Sequence, residues 1–245
     1  MHFLSSFIQQ RTVYVFGYKA WLILFKLIGT PIHELGHAFF CLIFGHKIEG
    51  MRLFQPSPDG TLGYVNHRYN RKNLYHQIGN FFIGIGPILF GSIVILLAAY
   101  LLIGKGVFAQ NQLSAEMLLN KPAQALEEAM KGLGYSFSVL FKAENFANWK
   151  FYVFLYLVFA IGNSITLSPP DLKSAGVGFL YFLLFLFLLN LATQWAGDFI
   201  SRGAAVLGSY MTVFASAMVV ALFLNLGAAV LLLLLSAIKS RIRSR

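Results

Sequence analysis

Between Leu22 and Phe44 the chain is almost wholly apolar, yet His33, Glu34 and His37 stand in the middle of the run. Ionisable groups in such a setting are costly without partners and mark a functional site by default. Residues four apart share one face of a helix, so His33 and His37 can offer two imidazole nitrogens to one metal ion. Glu34, beside the first of them, is placed to act as a general base on water. Gly36 keeps the helix surface low next to the pair, and Pro31 is a candidate for a kink one turn earlier. The alternative is two imidazoles hydrogen-bonded to neighbouring helices, with Glu34 held neutral. The His-Glu-x-x-His spacing and the acid between the ligands favour a metal. What the motif lacks is the third protein ligand that catalytic zinc normally has.

The rest of the chain has the composition of a membrane protein. Hydrophobic residues make up 58% and charged residues only 11%, with 25 Phe, against about 25% charged in soluble domains. This predicts an all-α, multi-pass integral membrane protein, a single domain over 1–245. The apolar runs place about five transmembrane helices at about 20–45, 78–103, 150–172, 176–195 and 204–238. As one helix the last run would measure ~52 Å against a hydrocarbon core of ~30 Å, so it must tilt, project into water or break near Gly227. With no charged or proline-rich turn inside it, one long helix is expected. Lys26, inside the first run, is expected to snorkel to the near interface. The net charge of +10 fits basic loops on anionic lipid and argues against nucleic acid as a partner. Cys41, the one cysteine, excludes an intrachain disulfide and reads as packing. Met1–Gln10 lacks the basic start of a cleavable signal peptide, so the first span is expected to direct insertion.

The loop 46–77 carries Lys47, Arg52, Arg68, Arg71 and Lys72, and the tail carries Lys239, Arg241, Arg243 and Arg245. The positive-inside rule puts both in the cytoplasm, which five spans reconcile with an external amino terminus. Within that loop, strand-like runs Lys47–Gln55 and Thr61–Tyr69 flank Pro56-Ser57-Pro58-Asp59-Gly60, a turn signal. A small β-hairpin at the membrane face is therefore expected after the first span. The extracytoplasmic loop 104–149 shows helix-like segments at Leu113–Leu119 and Pro122–Met130, with Asn120 as cap of the second and Gly132 and Gly134 as its end. Leu126, Met130 and Leu133 form an apolar stripe that suits a helix lying on the membrane.

The third ligand is sought among nine acids. Glu49 and Asp59 fall in the basic loop, Glu116, Glu127, Glu128 and Glu144 in the outer loop, and Asp198 between the last two spans. Asp171 remains, where the third span ends on the side toward which the motif helix runs. A zincin using Glu144 would need a ligand from the opposite face, and a helix-end Asp171 paired with Lys173 is the structural alternative. A straight third helix would leave Asp171 at the interface with His33 ~18 Å inside. A shared metal therefore requires that span to be displaced or to unwind after Asn163, around a water-accessible pocket open to the cytosol.

With these residues the chain resembles the site-2 protease family of intramembrane zinc metalloproteases. The resemblance rests on His33-Glu34-x-x-His37 and on a second motif near Asn-x-x-Pro-x-x-x-x-Asp-Gly. Here Asn163 and Asp171 keep that spacing, while Thr166 and Leu172 replace the proline and the glycine. It covers about 20–172. It implies a Zn²⁺ ion held by His33, His37 and Asp171, Glu34 as catalytic base and Asn163 as a substrate-binding residue. The implied activity is hydrolysis of a peptide bond in or near a transmembrane segment of a membrane-protein substrate. The family's membrane-associated β element corresponds to 46–77, and 104–149 is too short for an inserted PDZ-type domain. Gly84-Ile85-Gly86-Pro87 is similar to a Gly-Pro stretch in some relatives, though such glycines also serve close helix packing. Two other readings stand beside this one: a non-catalytic scaffold or chaperone retaining the zinc site, and a metal or proton transporter. The sequence is silent on oligomeric state.

Overall fold

The computed structural model describes residues 2–58, 60–108, 117, 120–193 and 199–243. Helices dominate, and a two-stranded antiparallel sheet interrupts them. Its contacts divide the chain into two compact units.

The first unit comprises Met1–Gly91, Leu155–Phe179 and Ala221–Arg245. It opens with a helix that hydropathy did not single out, α1 (His2–Phe16). Ile8 of α1 packs with Trp21, Phe25, Ala229 and Leu232 in a buried cluster. Lys239 Nζ donates to the carbonyls of Tyr14 and Val15, both at 2.9 Å, satisfying acceptors that the end of α1 leaves open. Gly17, at φ +89°, turns the chain into α2 (Tyr18–Trp21). A π-helical turn, Leu22–Lys26, leads without a break into the motif helix α3 (Leu27–Ile43). The widened turn carries Lys26 inward rather than out to the interface. Its side chain is 8% exposed, and Nζ donates to the Asn163 carbonyl at 3.2 Å and to Ser164 Oγ at 3.4 Å.

The hairpin forms as expected. Strands β1 (Lys47–Arg52) and β2 (Tyr64–Arg68) pair antiparallel from Lys47↔Arg68 to Arg52↔Tyr64, with an irregularity between Ile48 and Gly50. Glu49 and Arg68 bridge across it at 3.0 Å. The linking segment is closed by Gln55 N–H to Leu62 O and Ser57 N–H to Thr61 O; Asp59, at the expected turn, lies outside the described residues.

After the hairpin, α4 (Leu74–Gly84) and α5 (Gly86–Leu102) meet at a 57° bend. Asn73 caps α4 by accepting the Tyr75 N–H at 2.9 Å. The glycines at the bend serve close packing: a Cβ on Gly86 would lie 2.6 Å from the Gly36 carbonyl oxygen, and one on Gly36 2.7 Å from Pro87 Cα. Backbone meets backbone at this crossing.

The next expected span divides differently. Helix Trp149–Ser164 stops at Ser164, and a new helix starts at Pro169 and runs to Thr193. The third span therefore unwinds just after Asn163, as a shared metal requires, but does not run as a helix to Asp171, and the fourth begins earlier than hydropathy suggested. The paired prolines begin a helix here instead of ending one, because the first turn needs no backbone N–H. The last helix, Phe199–Arg243, is unbroken at Gly227 and measures ~68 Å.

Among the described residues, two helices are long and apolar enough to cross a membrane, Pro169–Thr193 and Val206–Ile242, and the bent pair α4–α5 makes a third if counted as one span. Five are not reached by that measure. In the motif run the π-helical turn leaves an α-helix of 17 residues, and the stop at Ser164 leaves one of 16, each below the ~20 of a full span.

The second unit comprises Ser92–Phe154 and Leu180–Val220. Its helix Pro122–Leu140 starts after Lys121, not at a capping Asn120, and passes through Gly132 and Gly134. Leu140 is buried at its end, where Asn145 Nδ2 donates to the carbonyls of Val139 and Leu140. Packing at the far end thus carries the helix across two weak formers. Apart from Met117, the expected helix Leu113–Leu119 lies outside the described residues.

Candidate metal centre

His33 and His37 sit one turn apart on α3, and their rings are aimed by backbone carbonyls. His33 Nδ1 lies 2.8 Å from the Ser164 carbonyl, and His37 Nδ1 lies 2.8 Å from the Ile83 carbonyl. Both carbonyls are available because a helix fails beside them. The helix Trp149–Ser164 ends at Ser164. The residue four beyond Ile83 is Pro87, which has no N–H to give back. A carbonyl only accepts, so each Nδ1 carries the proton and each Nε2 presents a lone pair.

These two Nε2 atoms face each other at 3.2 Å, and Asp171 Oδ1 lies 3.4 Å from that of His37. Three electron-pair donors converge with no hydrogen between them, an arrangement that calls for a positive centre. The spacing is informative: metal–ligand bonds of about 2.0–2.2 Å set the edges of a tetrahedron at roughly 3.3–3.6 Å. The two imidazoles and the carboxylate therefore fit a metal ion.

Asp171 is held by its helix. Ser168 precedes Pro169, and Asp171 Oδ2 accepts from the Ser168 backbone N–H at 2.8 Å and from its Oγ at 2.6 Å. This is a capping box across Ser168-Pro169-Pro170-Asp171. One carboxylate oxygen closes the helix start, and the other is left for His37. Lys173 is not the partner.

A cavity of about 420 Å³ opens on this centre. Glu34, 8% exposed, lines it beside the two His, with Ser168, Asp171 and Ser174 on another side. The hairpin supplies a wall from Gly63 to His67. Gly63 packs so closely that a Cβ there would lie 2.8 Å from Glu34 Cγ. Burial, and then the neighbouring His37, lower the pKa of His67, which keeps its imidazole neutral at pH 7.

Asn163 stands apart from the cavity. It is buried behind the centre, where Ser5 Oγ donates to its carbonyl at 2.8 Å and to its Oδ1 at 3.3 Å. Asn163 is not among the residues that line the cavity; its side chain meets Ser5 of α1, and its backbone carbonyl accepts from Lys26 Nζ. Asn66 and His67 line the cavity instead. Neither was singled out from sequence, and strand alternation alone does not tell which face of a hairpin meets a site.

Residues 11–108 match the family model Peptidase M50B-like. The match agrees with the resemblance to the site-2 protease family, whose His-Glu-x-x-His motif lies inside the matched segment. The family is one of membrane metalloproteases. The M50B-like segment contains α3, the hairpin and the Gly-Pro bend, and it stops short of Asp171. No curated protein and no solved structure matches the chain.

Proposed function

We propose that the chain is a zinc-dependent intramembrane endopeptidase that hydrolyses a peptide bond in or near a transmembrane segment of a membrane-protein substrate. The observation that carries this reading is the convergence of His33 Nε2, His37 Nε2 and Asp171 Oδ1 beside Glu34 in an open cavity. Two nitrogens and one carboxylate oxygen, with a side open for water, suit catalytic zinc. When bound, zinc supplies Lewis acidity that makes water acidic near neutral pH and polarises a scissile carbonyl.

The side chains supply the rest. Glu34 takes a proton from the attacking water and passes it to the leaving amine. The carbonyls of Ser164 and Ile83 hold both rings in the ligating tautomer. Ser168 holds the Asp171 carboxylate in place. A helical substrate hides its peptide bonds and must be unwound locally. The β2 strand, paired with β1 on one edge, runs along the cavity and offers its other edge to an extended substrate segment. The basic residues of 46–77 and of the tail support a cytoplasmic position for both under the positive-inside rule, and on this reading cleavage occurs toward that side.

Cleavage of a pool of single-span membrane peptides by the purified chain, read by mass spectrometry, tests the proposal. New termini that vanish with a chelator and return with zinc support it. Intact peptides across the pool, with zinc bound, count against it.

Two substitutions probe the supports. Ser168→Ala removes the hydroxyl bond to Asp171 and should weaken zinc binding about 10–100-fold, the usual effect of losing such a partner. Chelator competition measures it, and unchanged affinity would mean the backbone N–H suffices. Gly63→Ala drives a methyl group against Glu34 Cγ and the carbonyl oxygens of Arg52 and Leu53; the hairpin wall and Glu34 must shift, and turnover should fall by about 10-fold or more while zinc content stays constant. Turnover and metal content measured on one preparation separate these effects.

A further inference from the structure

We infer that a second metal site lies one turn beyond the first, where Cys41 Sγ, His46 Nδ1 and His67 Nδ1 take a thiophilic divalent cation such as zinc. One ligand atom from each of Cys41, His46 and His67 lies within 4.8 Å of the other two, and the two Nδ1 atoms are 3.0 Å apart. Cys41 continues the stripe of His33 and His37 at a further step of four on α3. Gly45, at φ +68°, then turns the chain back, and the His46 N–H donates to the Cys41 carbonyl at 2.8 Å. The hairpin delivers His67 from β2, opposite Ile48 in the ladder.

The cluster has the outer partners of a built site. His46 Nε2 is 3.0 Å from the His76 carbonyl, so it carries the ring proton and leaves a lone pair on Nδ1. That Nδ1 faces His67 Nδ1 at 3.0 Å. The Asn70 N–H donates to His76 Nδ1 at 3.2 Å, which steadies the residue presenting the carbonyl. Tyr69 stacks on the His46 ring at 4.8 Å. Cys41 is 0% and His46 3% exposed, so both donors are shielded from bulk water. A hydrogen bond from His67 to His46 accounts for the two rings but gives the converging thiol no part.

One sulfur and two nitrogens form a softer donor set than the first centre and favour zinc over magnesium or calcium. On binding, the S–H bond breaks, a sulfur–metal bond forms and the proton leaves to solvent. Such an ion ties the end of α3 to β2, and so fastens the hairpin wall of the cavity to the helix that carries Glu34.

Cobalt tests this directly. Cys41 is the sole cysteine, so any thiolate-to-cobalt charge-transfer band in the near ultraviolet belongs to it. The full chain in detergent, loaded with Co²⁺, should show that band and bind one metal equivalent more than the first centre holds. The double variant His33→Ala/His37→Ala should keep the band and lose the other equivalent. Cys41→Ser should lose the band; should that variant fail to fold, His46→Ala is read in the same way. Cobalt bound by the wild-type chain without the band overturns the site, as does a band that survives Cys41→Ser. A folded chain that takes up no cobalt overturns both centres together.

Discussion

Glu34→Gln is expected to leave the bound zinc in place and to lower peptide cleavage by about 10³-fold, within the range by which a positioned general base accelerates reactions. The substitution keeps the shape of the side chain, which matters here because Glu34 Cγ is packed against Gly63 in the cavity wall. It removes only the ability to take and return a proton. Glu34 is not among the converging donors, so metal content should not change. The measurement pairs zinc analysis with initial rates on a peptide that the wild-type chain cuts. Full activity in the variant would remove Glu34 from the chemistry. An ion-transport or scaffold role would tolerate the change, and transport into vesicles would then be the assay to pursue.

Asp171→Ala should lower zinc affinity by at least about 100-fold, more than the loss of a mere supporting contact, and cleavage should disappear with it. The same substitution removes the capping box at the start of Pro169–Thr193, at a cost of about 1 kcal/mol to that helix. Asp171→Asn separates the two roles. An amide oxygen still accepts from Ser168, so the helix start is kept, while a neutral amide is a far poorer zinc ligand than a carboxylate. Both variants should therefore lose metal, and only the alanine variant should also lose thermal stability in the metal-free state. Unchanged affinity in both would move the third ligand elsewhere.

Much of the centre was readable from residue types and spacing. His33, Glu34 and His37 declare themselves because charge and imidazole are out of place in an apolar run. The hairpin was visible in its alternation and its Pro-Gly turn. Asp171 was reached by eliminating other acids, but its local geometry was misread: Ser168-Pro169-Pro170-Asp171 is a helix start, and the Ser-x-x-Asp pattern before an apolar run was the available sign. The helix stop after Asn163 was expected from the need for a shared metal and is found at Ser164; that Asn163 lies behind the cavity was not, since spacing along the chain does not say which way a side chain at a helix end turns. Lys26 was expected at the interface because an isolated cation escapes to water; the structure gives it the Asn163 carbonyl and Ser164 Oγ instead.

By itself the amino-acid sequence determined that the chain is largely helical and apolar, that two imidazoles share a helix face with an acid beside them, and that a short hairpin follows. These follow from periodicity and composition, which act over a few residues. Only the tertiary structure decided which carbonyls aim the rings, how the carboxylate of Asp171 is held beside them and which hairpin residues wall the cavity. Those depend on where helices end: Pro87 frees the Ile83 carbonyl and the stop at Ser164 frees another, and each reaches its histidine from a segment distant in the chain.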